Sequence, residues 1–148
     1  MVADCLPVLF ADAQGRRVAA AHAGWRGLAA GVLSRAVQSF EDNRGRHGEL
    51  MAWLGPCIGP DAFEVGEEVK AQFEAADAEA ARCFRPAGAP GKWLADLPGL
   101  ARQRLRALGV RQVHGNDGGP AWCTVGNPSR FFSYRRERVG GGRAVLVR

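Results

Sequence analysis

Short apolar runs alternate with segments of helical period along nearly the whole chain, and this alternation restricts the fold to a sheet covered by helices. The run Cys5-Leu6-Pro7-Val8-Leu9-Phe10 reads as a buried strand that turns at Ala11-Asp12-Ala13-Gln14-Gly15, and residues 18–22 read as a returning strand. From Leu28, the residues Val32, Leu33, Ala36, Val37 and Phe40 follow a helical period with Arg35 and Gln38 on the outer side, which makes Gly24-Trp25-Arg26-Gly27 a strand-to-helix turn. A third strand over 50–54 stops at Gly55-Pro56-Cys57-Ile58-Gly59-Pro60, where two Gly-Pro pairs force a rigid loop. A helix follows, with Val65, Val69 and Phe73 as its buried stripe and Glu64, Glu67, Glu68 and Lys70 toward water; residues 85–91 are a Pro/Gly loop. Asp96 is placed to cap a helix that carries Pro98 in its first turn, buries Leu97, Ala101, Leu105 and Leu108, and stops at Gly109. Further strands are expected over 110–113 and 144–147, and the strand order is not fixed by the sequence.

Length and composition bound the rest. A chain of 148 residues with 47% apolar content and 24% charge builds one ordinary core, so residues 1–148 are read as a single domain. No apolar run approaches the roughly 20 residues of a membrane span, and the N-terminus has no basic segment leading into an apolar signal core, so a cytoplasmic protein without membrane contact is expected. Cys5, Cys57, Cys83 and Cys123 form no C-x-x-C pair, which predicts reduced thiols. The net charge of +5 comes from scattered arginines and one concentrated stretch, Arg130, Arg135, Arg136 and Arg138. A nucleic-acid interface would need a broader basic face with interleaved aromatics, so a small anion such as phosphate fits better.

Cys5 and His22 stand at the ends of adjacent expected strands, where pairing would bring a thiolate and an imidazole to one sheet edge. Zinc accepts both donors, and a catalytic zinc keeps three protein ligands and one open position, so the pair makes part of a site. The same two residues also read as a small buried hydrophobe and a satisfied core histidine, or as a nucleophile and base for hydrolysis. Gly24-Trp25-Arg26-Gly27 opens a helix, whose free N–H groups attract anions, and Arg26 adds a bidentate donor; a plain glycine turn with a surface arginine gives the same pattern. Phe131-Phe132-Ser133-Tyr134-Arg135-Arg136 mixes aromatic surface with guanidiniums suited to a base, ribose or phosphate, and reads equally as an alternating strand. Asp4, beside Cys5, is a candidate for proton transfer or for capping.

Taken together, Ala3-Asp4-Cys5-Leu6-Pro7-Val8-Leu9-Phe10, Ala19-Ala20-Ala21-His22-Ala23-Gly24-Trp25-Arg26-Gly27, Leu54-Gly55-Pro56-Cys57-Ile58-Gly59-Pro60 and residues 131–136 resemble, in order, the purine nucleoside phosphorylase or laccase-domain family, once labelled polyphenol oxidases. Ala62-Phe63-Glu64-Val65-Gly66, Leu94-Ala95-Asp96-Leu97 and Leu100-Ala101-Arg102-Gln103-Arg104-Leu105 extend the resemblance over nearly the whole chain. It implies an α+β fold with mixed sheets flanked by helices, a fold similar to one that carries a Cys-His hydrolase in bacterial toxins. It implies phosphorolysis of adenosine, inosine and methylthioadenosine, deamination of adenosine, and a zinc site at which copper also binds. Cys5 and His22 become two of three metal ligands, and Arg26, Ser133, Arg135 and Arg136 lie near phosphate or nucleoside.

The family's third ligand is a histidine in a Gln-Val-His-Gly motif that precedes the Ala-Asp-Cys motif, and this chain begins after it, with roughly the first two-fifths of a usual member absent. The expectation is therefore a truncated domain, either active with a ligand found elsewhere or an inactive remnant, with an uncovered sheet edge that favours aggregation or self-association. Gln112-Val113-His114-Gly115 repeats the motif in a later segment and is read as coincidence. Val2 in place of threonine, the extra Gly118-Gly119-Pro120-Ala121 and the Gly140-Gly141-Gly142-Arg143 ending also depart from the family. Three histidines, His22, His47 and His114, are too few for a multicopper cluster, which excludes a laccase.

Overall fold

A computed structural model describes residues 3–137 of the chain. The expected strand over 144–147, together with Arg138 and Arg143, lies outside the described residues. Two sheets carry the fold, one of four strands and one of three. In the larger, β1 (Leu6–Asp12) runs antiparallel to β2 (Val18–Ala23) and to β3 (Leu50–Leu54), and β3 runs parallel to β7 (Gln112–Gly115), giving the order β2-β1-β3-β7. The smaller is antiparallel, with β6 (Lys92–Ala95) between β4 (Glu64–Gly66) and β5 (Phe84–Pro86). This is the mixed α+β architecture expected from the alternation.

Period-two alternation explains the larger sheet. Leu6, Val8 and Phe10 on β1, Ala21 and Ala23 on β2, and Leu50, Ala52 and Leu54 on β3 point to one side and are buried. The helices cover that side: Leu28 of α1 (Trp25–Ala29), Leu33 and Val37 of α2 (Val32–Gln38), and Leu100, Ala101 and Leu105 of α4 (Leu97–Ala107) join them in one core. The other side carries Leu9, Val18, Met51, Trp53 and His114, and among the described residues no helix covers it.

Several boundaries differ from expectation. The helical segment after β2 begins at Trp25 rather than Leu28, so only Gly24 serves as the turn, and it splits at Gly31, whose φ of +82° ends α1 and caps α2. Val65 is buried as expected, but it lies on a strand, because Glu64–Gly66 pairs with β6 before α3 (Glu67–Ala76) starts. Of the loop expected over 85–91, residues 85 and 86 belong to β5, and residues 87–91 are the turn of the β5–β6 hairpin. Residues 131–136 form no strand: they lead into α5 (Tyr134–Glu137). The α4 expectations hold: Asp96 Oδ1 accepts from the Gly99 N–H at 2.9 Å, Pro98 sits in the first turn, and Gly109 has φ +81°.

Candidate metal and anion site

Cys5 directly precedes β1, and the β1–β2 register, with Leu6 opposite Ala23 and Pro7 opposite His22, carries on to set Cys5 against Gly24. A Cβ added to Gly24 would lie 2.8 Å from Cys5 Sγ and 3.7 Å from His22 Nε2. The sulfur and the imidazole nitrogen therefore converge on one point that is open because residue 24 has no side chain. Gly24 has φ −61° and ψ 159°, a conformation any residue adopts, so it is space rather than backbone strain that calls for glycine here. His22 is exposed and Cys5 half-buried. Burial, then the neighbouring Asp4 carboxylate, pushes the Cys5 thiol above its ordinary value.

Asp4 holds this corner in place. It has φ +75°, a left-handed conformation that costs a non-glycine residue about 1–3 kcal/mol. Its carboxylate accepts from Thr124 Oγ1 at 2.5 Å, Ser133 Oγ at 3.1 Å and the Arg135 N–H at 2.6 Å, and its carbonyl accepts from the Ile58 N–H at 2.9 Å. Hydrogen bonds to a charged group contribute about 1.5–3 kcal/mol each, enough to offset the conformational cost. Asp4 is buried and its oxygens are engaged, so the residue positions the backbone that carries Cys5.

The arginines divide into two kinds. Arg136 spends its guanidinium on the carbonyls of Thr124, Val125 and Phe131 and on Glu137, which anchors the segment after Cys123. Ser133 is fully buried, donating to Asp4 and accepting from the Arg136 N–H. Arg26 is exposed with its guanidinium 4.4 Å from the Trp25 ring centre, and Arg135 is exposed over the Phe63 ring with one N–H on the Glu64 carbonyl. Those two keep donors toward solvent. The α1 helix has five residues, too few for a helix-start anion site, so any anion role near His22 falls to the Arg26 side chain.

His114 does not join Cys5 and His22. It stands opposite Trp53 on β7, at the far edge of the sheet from His22 on β2, three strand spacings or about 14 Å away. The glycine of that Val-His-Gly run has its own cause: Gly115 has φ +79°, and a Cβ there would strike the Leu54 carbonyl oxygen. Among the described residues, no group of three or more His, Cys, Asp or Glu is arranged to hold a metal ion. Cys5 and His22 offer donor types that zinc and copper accept, and both face one open point. Sequence reasoning missed Thr124, and it read Gly24 as part of an anion-binding turn rather than as the gap between Cys5 and His22.

Among the described residues, no helix is long and apolar enough to cross a membrane. Residues 1–147 match the family described as multi-copper polyphenol oxidoreductase laccase. A Pseudomonas aeruginosa protein named purine nucleoside phosphorylase PA4543 is 57% identical over 99% of this chain and 58% of its own length, and the Escherichia coli purine nucleoside phosphorylase YfiH is 52% identical over 99% and 57%. The chain thus spans less than three-fifths of the length of these curated relatives. Among solved structures, Neisseria meningitidis NMB0706 superposes with a TM-score of 0.82 at 50% identity, over 93% of this chain and 53% of that one. YlmD from Geobacillus stearothermophilus superposes at 0.81 and 30%, over 93% and 50%. The match along the whole chain, the shared fold and the identity to these relatives together establish that the chain belongs to this laccase-like, YfiH-type family.

Proposed function

We propose that the chain supplies the Cys5/His22 half of the metal site of a purine nucleoside phosphorylase, which cleaves adenosine, inosine and methylthioadenosine with phosphate and also deaminates adenosine. The observation that carries this reading is the convergence of Cys5 Sγ and His22 Nε2 on the space left by Gly24. Zinc, or copper in its place, would be held there by the Cys5 thiolate and the His22 imidazole and would supply a Lewis acid. The guanidiniums of Arg26 and Arg135 hold the phosphate dianion. Phosphate then attacks the ribose C1′, the bond from C1′ to the purine nitrogen breaks, and the base leaves with a proton while ribose 1-phosphate remains. Asp4, Ser133 and Arg136 fix the strand start on which Cys5 sits and do not touch the reacting atoms. The relatives' name supports the substrate class, a purine nucleoside and phosphate.

A metal-free Cys-His hydrolase is the rival, and it differs in needing neither phosphate nor a metal ion. The deciding experiment is adenosine turnover with and without phosphate, on protein whose zinc and copper content is measured in the same preparation. Adenine release that requires phosphate and stops on chelation is the expected result. Activity that survives chelation but is lost on alkylation of Cys5 would replace the phosphorylase with the hydrolase, and a metal-free, inactive chain would overturn both.

A further inference from the structure

Two cysteines play no part in the proposed site, yet the fold sets them side by side. Cys57 and Cys123 are opposed in an isolated parallel bridge: the Cys57 N–H donates to the Trp122 carbonyl at 3.3 Å, and the Thr124 N–H donates to the Cys57 carbonyl at 2.9 Å. Residues opposed in this way have Cα atoms about 5 Å apart. That spacing falls inside the range of about 4.4–6.8 Å that a disulfide spans.

Their surroundings differ in a complementary way. Cys57 is fully buried, with Asn116 Nδ2 donating to its sulfur at 3.4 Å. Cys123 is half-buried and lines a cavity of about 360 Å3 together with Pro60, Ala62 and Asn127, which gives a small molecule access to it. Its sulfur accepts the N–H groups of Gly59 at 3.3 Å and Gly126 at 3.4 Å, which fix its place beside the cavity. An accessible thiol beside a buried one is the arrangement in which the first meets an oxidant and the second resolves the product.

We propose that Cys123 is a site of oxidation by small hydroperoxides, with Cys57 as its resolving thiol, and that the product is an intramolecular disulfide. Cys123 sulfur attacks one peroxide oxygen, the O–O bond breaks, and the second oxygen leaves as water or, from an organic hydroperoxide, as an alcohol; Cys123 is then a sulfenic acid. Cys57 gives up its proton and attacks Cys123 Sγ, the S–O bond breaks, and hydroxide takes that proton to leave as water. Two thiols are oxidised and one peroxide is reduced. The link would staple the two segments that grip Asp4, since the Ile58 N–H and Thr124 Oγ1, each one residue beyond a bridging cysteine, both bond to it. This inference stands apart from the proposed activity and needs no metal.

The test is a hydrogen peroxide titration of the purified chain, alkylation of remaining thiols in denaturant, tryptic digestion and mass spectrometry. The expected product joins the peptides 47–70 and 112–130 with the loss of two hydrogens, consumes two of the four thiols, and reverts with dithiothreitol. In Cys57→Ala, Cys123 should instead be trapped as a sulfenic acid that dimedone labels. A cross-link to Cys5 or Cys83 in its place, or Cys57 still fully alkylated once Cys123 is consumed, would overturn the proposal. The mapping is done on the unsubstituted chain, so the result does not depend on how the variant folds.

Discussion

Gly24 is the residue at which the candidate site is most exposed to a single change. Because its backbone angles suit any residue, Gly24→Ala should fold, while the new methyl group, 2.8 Å from Cys5 Sγ, pushes into the space where both donors point. The expected outcome is at least a tenfold loss of zinc affinity by competition with a chromophoric chelator, with a thermal midpoint close to that of the parent. Unchanged zinc affinity in this variant would remove the Cys5/His22 pair from the metal site. The approach of Cys5 to His22 was legible in the sequence because each stands at the end of one of two adjacent strands. The part played by Asp4 was not, since its partners Thr124, Ser133 and Arg135 lie 120, 129 and 131 residues away. Nor did the charge of Arg136 reveal that its guanidinium is taken up by carbonyl oxygens rather than left for phosphate.

Elements with strong local punctuation were readable, and those decided by tertiary pairing were not. The α4 helix carries an aspartate cap, a first-turn proline and a terminal glycine, so its ends were fixed before any partner was known. Glu64–Gly66 is three residues long, and only pairing with β6 distinguishes it from the first turn of the helix that follows. The junctions between elements also bury thiols. Burial raises Cys57 far above its ordinary value of 9.0, and burial, then Asp96 and Asp77, raises Cys83 to about 11. In the unfolded chain these thiols ionise near 9.0, whereas in the fold they stay protonated to higher pH, so above 9.0 the unfolded state binds fewer protons than the native one. Their contribution is fully present below pH 9.0 and is lost as pH rises, with the Cys83 share gone once about 11 is passed. Urea unfolding between these limits should show Cys57→Ala with a shallower decline than the parent, by up to about 1.4 kcal/mol per pH unit. Parallel declines would mean that Cys57 titrates alike in both states.

At the scale of the whole molecule, the larger sheet is covered on one side only among the described residues. Its inner face packs against helices, whereas the outer face leaves Leu9 48%, Val18 78% and Trp53 40% exposed around a shallow cavity of about 780 Å3 that Met51 and His114 also line. Both outermost strands, β2 and β7, lack a neighbour on one side among the described residues, so apolar surface and free backbone donors coincide. Arg16 and Arg17 beside Val18 supply charge at one end of β2, but none of the residues lining the cavity is acidic or carries a fixed positive charge. A contiguous apolar face on a chain of this size drives association, since each buried apolar square ångström is worth roughly 25 cal/mol. The chain is therefore expected to self-associate as concentration rises, measured by size exclusion with light scattering. Placing a charge on each of two adjacent strands, Leu9→Lys with Val18→Lys, should restore the monomer without unfolding it, because neither side chain contributes to the buried core. If the parent chain stays monomeric at every concentration, or if the double variant associates as strongly as the parent, this face is not the surface through which the molecule makes contact.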